Sequence, residues 1–158
     1  MKKKLCTTLI ILVSGLIISV FVYKVYLIQI DTEYAVNFSK VFQTYDINVV
    51  DSYFTKDTCI IYNGKQTTYD KVRNNIVIAC KEKKYDFSEG SSYGYGNDKF
   101  INGVQDVGIR LYGNLCGEKT GECKIKIKLR KTGLFSFEIE SVESNDEIFG
   151  YIFLGEQL

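Results

Sequence analysis

The sequence predicts an α+β protein: an N-terminal membrane helix, then helices, then a run of antiparallel strands. Three observations predict it. Tyr34, Phe38, Val41, Phe42 and Tyr45 recur at the spacing of one helix face. Asn63-Gly64 sits between two short β-type runs and supplies the positive φ of a type I′ hairpin. From residue 85 onward the pattern turns to alternation, strictest over residues 123–130.

Met1-Lys-Lys-Lys4 precedes an uncharged apolar run, residues 5–23, that resumes after Lys24 as far as Ile30. As a helix the run covers roughly 28 Å, close to the hydrocarbon thickness of a bilayer. Basic residues ahead of the span place the N-terminus in the cytoplasm, and Lys24 can snorkel at the far interface. No small-x-small site interrupts residues 22–26, so the segment reads as an uncleaved anchor rather than a signal peptide. The division is residues 1–30 as anchor, with the span at about 5–28, and residues 31–158 as one extracytoplasmic domain.

Within that domain the first helix ends at Tyr45. Asp46 caps a short second helix carrying Ile47, Val50, Tyr53 and Phe54 inward. The hairpin follows, and Thr68 then caps a third helix, residues 70–80, with Asp70 favouring its dipole and Val72, Ile76 and Ala79 as its buried stripe. Everything after it suits strands: residues 85–96, where glycines suggest bulges; 104–115; 123–130; 135–140; and an apolar tail, residues 148–154. Parity sets the register of the last two full strands. A Thr132-Gly133-Leu134 loop places Leu129 opposite Phe137, Ile127 opposite Ile139, Lys128 opposite Glu138 and Lys126 opposite Glu140. The basic row of residues 124–130 then has acidic partners, a solvated paired face rather than an anion-binding stripe.

Lys+Arg 20 against Asp+Glu 19 leaves a net charge of +1, which gives no global argument for nucleic acid. There is no His, which removes the commonest general base and zinc ligand. Outside the membrane Cys59, Cys80, Cys116 and Cys123 form an even set. Two readings stand: bridges Cys116–Cys123, across a turn-rich loop, and Cys59–Cys80; or four buried thiols. No CxxC spacing points to a metal, and no cofactor is implied.

The order helix, short helix, hairpin, helix, long strands, together with Val50-Asp-Ser-Tyr-Phe-Thr-Lys-Asp57, Asn63-Gly64 and Tyr69-Asp-Lys-Val-Arg73, resembles the nuclear transport factor two-like superfamily over residues 31–143. The resemblance implies a strongly curved, mostly antiparallel sheet forming a cone around three helices, with a pocket at the open end. In isomerase-like members an aspartate on the strand after the Phe-x-x-Asp motif is the base; here Tyr62 and Asn63 stand nearest. Without His, the histidine–aspartate pairs of polyketide cyclases are excluded, and Asp57 reads as a turn residue.

Three functions follow. The first is a non-catalytic, single-pass interaction domain at the cell surface. It resembles the bitopic assembly factors of conjugation and type IV secretion, with envelope proteins or a second copy as partners. The second is a small-molecule binding module with a pocket lined by Tyr53, Tyr62, Tyr69, Tyr85, Tyr93, Tyr95 and Tyr112; the alternative for the same tyrosines is that they fill the cone, rings inward and hydroxyls at the rim. The third is an enzyme, for which Asp46, Asp57 and Asp106 are the carboxylates to test. Abundant Lys, Asn, Ile and Tyr hint at an AT-rich bacterial genome.

Overall fold

The computed structural model describes residues 2–93, 103–115, 118–134 and 136–157. Its first element, α1 (Lys2–Gln43), is one unbroken helix. The stretch Thr8–Tyr26 has a mean hydropathy of 2.3 and no buried residues, and is long and apolar enough to cross a membrane. The expected boundary at residue 30 therefore falls inside a helix, and Ile30 already belongs to the core at 4% exposure. Tyr26, Ile30, Tyr34, Phe38, Val41 and Phe42 continue one stripe down the helix, so the face that leaves the apolar segment is the face that enters the core. Tyr45 ends the run in the left-handed region, at φ 53°.

Asp46 caps α2 (Ile47–Asp51), its carboxylate accepting from the Asn48 N–H at 2.9 Å. β1 (Cys59–Tyr62) and β2 (Lys65–Thr68) form the expected hairpin, with Asn63 at φ 49° and Gly64 at φ 76°. α3 (Tyr69–Glu82) buries Val72, Ile76 and Ala79, with Tyr69 and Cys80 added to the stripe. Thr68 stands at its N-cap in extended conformation, without the side-chain bond expected of it.

The sheet has the order β2-β1-β6-β5-β4-β3, antiparallel except where β1 runs parallel to β6. β3 (Tyr85–Tyr93) and β4 (Val104–Leu115) pair through a bulge between Phe87 and Glu89, and β5 (Glu118–Lys131) alternates as the sequence requires. Gly113 is needed where β4 crosses β3, because a Cβ there would overlap the Asp86 carbonyl oxygen.

Two expectations are corrected, and a choice left open at the cysteines is answered for three of them. The β5–β6 register is shifted: β6 (Phe137–Ser144) places Ile139 opposite Leu129, Glu138 opposite Arg130 and Val142 opposite Ile127. The loop is wider than three residues, closed by the Thr132 N–H donating to the Ser136 carbonyl at 2.9 Å. A bulge at Glu140 then resets parity, turning Val142 and Ser144 inward. The basic row is paired, but through Arg130–Glu140 at 2.7 Å, Lys126–Asp106 at 3.2 Å and Lys124–Glu122 at 2.6 Å. Phe135 lies outside the described residues.

Second, the tail is helical rather than extended. Asp146 caps a short turn, α4 (Glu147–Phe149), that continues as π-helix over Gly150–Leu154. An apolar run buried on several sides carries no period, and the tail packs against α3, where Asn75 donates to the Phe153 carbonyl at 3.1 Å. At the cysteines, Cys59, Cys80 and Cys123 are free thiols. Cys123 points into the core opposite Leu111, and the Cys80 sulfur lies 3.5 Å from the Tyr85 hydroxyl. Cys116 lies outside the described residues.

Candidate functional site

The place to look first is the concave side of the sheet. There Phe38, Phe42, Phe54, Phe149 and Phe153 form a continuous set of rings, with centroids 5.1 Å apart for Phe38–Phe42, 5.7 Å for Phe42–Phe153 and 4.3 Å for Phe149–Phe153. Tyr62 stacks on Phe149 at 6.2 Å and Tyr69 meets Phe54 at 4.7 Å. The tail helix thus brings two phenylalanines into the space between α1 and the sheet. Each buried ring contributes apolar area and edge or stacking contacts.

The seven tyrosines picked out by sequence do not converge. Tyr62, Tyr69 and Tyr85 are core residues. Tyr69 donates to Asp51 at 2.7 Å beside the Arg73 guanidinium, which grips the same carboxylate at 2.6 and 2.9 Å and ties α2 to α3. Burial foremost, then the hydrogen bond to Asp51, raises the Tyr69 phenol far above its ordinary value; burial does the same to Tyr85. Tyr112 lies on the outer face opposite Glu122. Only Tyr53 borders a described cavity. The Tyr93 side chain and all of Tyr95 lie outside the described residues. The three test carboxylates are equally scattered: Asp46 caps α2, Asp57 is exposed in a turn, and Asp106 pairs with Lys126.

Tyr53 lines a cleft of about 520 Å³ between α1, the segment after α2, and the start of β6. Its origin is topological. β1 pairs only with residues 141–144 of β6, so among the described residues the first half of β6 has no strand paired on that side. Two hydroxyls serve the backbone there: Tyr34 donates to the Phe137 carbonyl at 3.2 Å and Thr58 to the Ile139 carbonyl at 3.1 Å. The cleft is walled by Tyr26, Tyr34 and Tyr53, with Glu33 and Glu138 at its margin. Burial, then the neighbouring Tyr53, Glu33 and Tyr26, hold the Tyr34 phenol above its ordinary value; burial and then Glu33 do so for Tyr53. Both phenols are therefore neutral donors at any physiological pH. Sequence reasoning missed Tyr26 and Tyr34 as lining residues, although Tyr26, Ile30 and Tyr34 follow the i, i+4, i+8 spacing. Tyr26 had been counted with the membrane segment.

No protein-family model matches the sequence, and no curated protein matches it. Solved structures do. A protein described as "Rd1NTF2_04 with long sheet" is 15% identical, with 72% of this chain and 97% of that chain covered, at a TM-score of 0.51. An NTF2-like protein from Cytophaga hutchinsonii is 13% identical, covering 67% of this chain and 86% of its own, at 0.48. An NTF2-like protein of unknown function in nutrient uptake from Rhodospirillum rubrum is 12% identical, covering 69% and 91%, at 0.43. At 15% identity the first of these likenesses shows a class of fold and nothing finer. The chain is an α+β protein with an NTF2-like fold and an apolar N-terminal helix.

Proposed function

We propose that the protein is a single-pass membrane protein whose NTF2-like domain stands outside the membrane as a packed, non-catalytic interaction body, with Lys2–Lys4 in the cytoplasm. The observation that carries this reading is the ring-filled interior. Where the fold resemblance implies a pocket, Phe42, Phe54, Phe149 and Phe153 occupy the space. The continuous α1 supports placement close to the membrane. Ile30 is in the core only four residues after Tyr26, a rise of about 6 Å. Such a domain is held at the surface and offers its flanks to an envelope protein or a second copy. The scattered Asp46, Asp57 and Asp106 support the absence of a reaction.

The test uses full-length protein in cells, carrying a photo-crosslinking residue at the exposed Ile78 or Leu134. The expected result is a discrete adduct from one of these sites, with the domain digested by protease added to intact spheroplasts. No adduct from either site, or digestion only after lysis, would overturn the reading. A small-molecule binding role is favoured by one observation only, the cleft at Tyr53, and there the ligand chemistry can be taken further.

A further inference from the structure

We infer that the cleft beside α1 is a binding site for the ammonium head of an amphiphile, its charge facing Glu33 and its methyl or methylene surface facing the rings of Tyr26, Tyr34 and Tyr53. The argument begins with charge. The lining includes neither Lys nor Arg, and of its two glutamates Glu33 is the one whose charge Tyr34 and Tyr53 feel, Glu138 standing opposite Arg130. Glu33 makes no ion pair among the described residues, in contrast to Glu122 and Glu140 on the outer face. An anion is therefore repelled and a cation attracted.

Ring chemistry narrows the cation. Three phenols present π-faces or hydroxyls to one cavity, and aromatic faces attract ammonium and quaternary ammonium groups within about 6 Å of the ring centre. Tyr34 feels the charges of Tyr53, Glu33 and Tyr26, and Tyr53 that of Glu33, which places these four groups within electrostatic reach of one another. A bare metal ion fits less well. Glu33 is the carboxylate that faces it, and no group of three or more His, Cys, Asp or Glu gathers among the described residues.

The remaining wall calls for an apolar portion. Ile30, Phe54 and Phe137 complete the cleft, whose volume suits a head group and several methylenes. Position points the same way. The lining begins at Tyr26, the last residue of the apolar stretch, and ends at Asn37, roughly 16 Å further along the helix. The Tyr26 end of the cleft lies at the head-group layer if α1 spans a membrane, so the placement rests on the proposed anchor. The preference for a cation does not.

The two can be tested apart. Full-length protein in uncharged maltoside is titrated with decyltrimethylammonium and, separately, with decanol, following tyrosine emission or calorimetric heat. Saturable binding of the ammonium compound, with at least tenfold weaker binding of decanol, is expected. Glu33→Gln and Tyr53→Leu should each weaken it by roughly tenfold, equivalent to about 1.4 kcal/mol, while Glu156→Gln leaves it unchanged. No saturable binding, equal binding of decanol, or indifference to these substitutions would overturn the inference. Repeating the titration in nanodiscs assigns the source. Weaker binding in choline-headed than in glycerol-headed bilayers makes the lipid head the occupant; equal binding makes it a soluble amphiphile.

Discussion

Phe153 is the residue on which the filled interior turns. It is 1% exposed and its ring meets Phe42, Phe54 and Phe149 at centroid distances of 5.7, 6.3 and 4.3 Å. Phe153→Ala removes that ring from a site whose neighbours belong to three separate elements and cannot all close inward. A full phenylalanine truncation in a core costs about 3–5 kcal/mol. At about 4 °C per kcal/mol for a domain of this size, the midpoint of unfolding should fall by about 12–20 °C. Phe153→Leu keeps most of the volume and should cost under about 1.5 kcal/mol. The assay is thermal unfolding of the full chain in detergent, followed by near-ultraviolet circular dichroism of the tyrosines. A loss below about 1 kcal/mol for Phe153→Ala would refute the packing argument. The tail would then be a lid over an open cone, and the small-molecule reading would regain the interior.

Three other outcomes follow from the same contacts. Asp51 has its carboxyl held below the ordinary value, first by the Arg73 hydrogen bond and then, against the opposing effect of burial, by Tyr69 and the Arg73 charge. Its folded pKa is depressed, so its contribution is present above the unfolded pKa of about 3.9 and is lost as pH falls through the lower folded value. Asp51→Asn should therefore cost about 1 kcal/mol at pH 7 after solvent screening, with the difference from wild type shrinking below about pH 4 in urea titrations. Gly113→Ala forces β3 and β4 apart at the Asp86 carbonyl and should cost more than about 2 kcal/mol, read by the same thermal assay. Finally, denaturation without reductant should leave Cys59, Cys80 and Cys123 open to alkylation, counted by mass spectrometry. An unlabelled thiol among them would restore a bridge.

The features readable in the sequence were those decided by neighbours along the chain. Asn63-Gly64 dictates its hairpin because only the turn chemistry of two residues is involved. Asp46 announces α2 for the same reason. The tail was not readable in this way. Asp146 is as good a cap as Asp46, but the run behind it is aromatic, β-branched and apolar without a period, so strand and buried helix look alike. Only packing against α3 and Phe42 decides. The Glu140 bulge does leave a local trace, past the end of the expected strand at residue 140: Ser141 falls where an apolar residue is due and Val142 where a polar one is. The cleft falls between these cases. Its tyrosines on α1 obey helical spacing, yet nothing local says that β1 will stop short of Phe137 and leave a wall for them to face.

The unbroken α1 joins these parts mechanically. A flexible linker would let an anchored domain sample every orientation, and a cleft near the membrane would then mean little. Here the stripe Tyr26, Ile30, Tyr34, Phe38 and Phe42 continues from the end of the apolar stretch into the ring-filled interior without a break. Bending the helix between Tyr26 and Ile30 would therefore pull Ile30 from the core. Lys131 at the end of β5 adds a second tie, donating to the Tyr23 hydroxyl with its ammonium 4.9 Å from the centre of that ring. Rotation of the apolar segment about its own axis would break that contact. The packing of the rings thus also fixes the position of this cleft relative to the apolar segment.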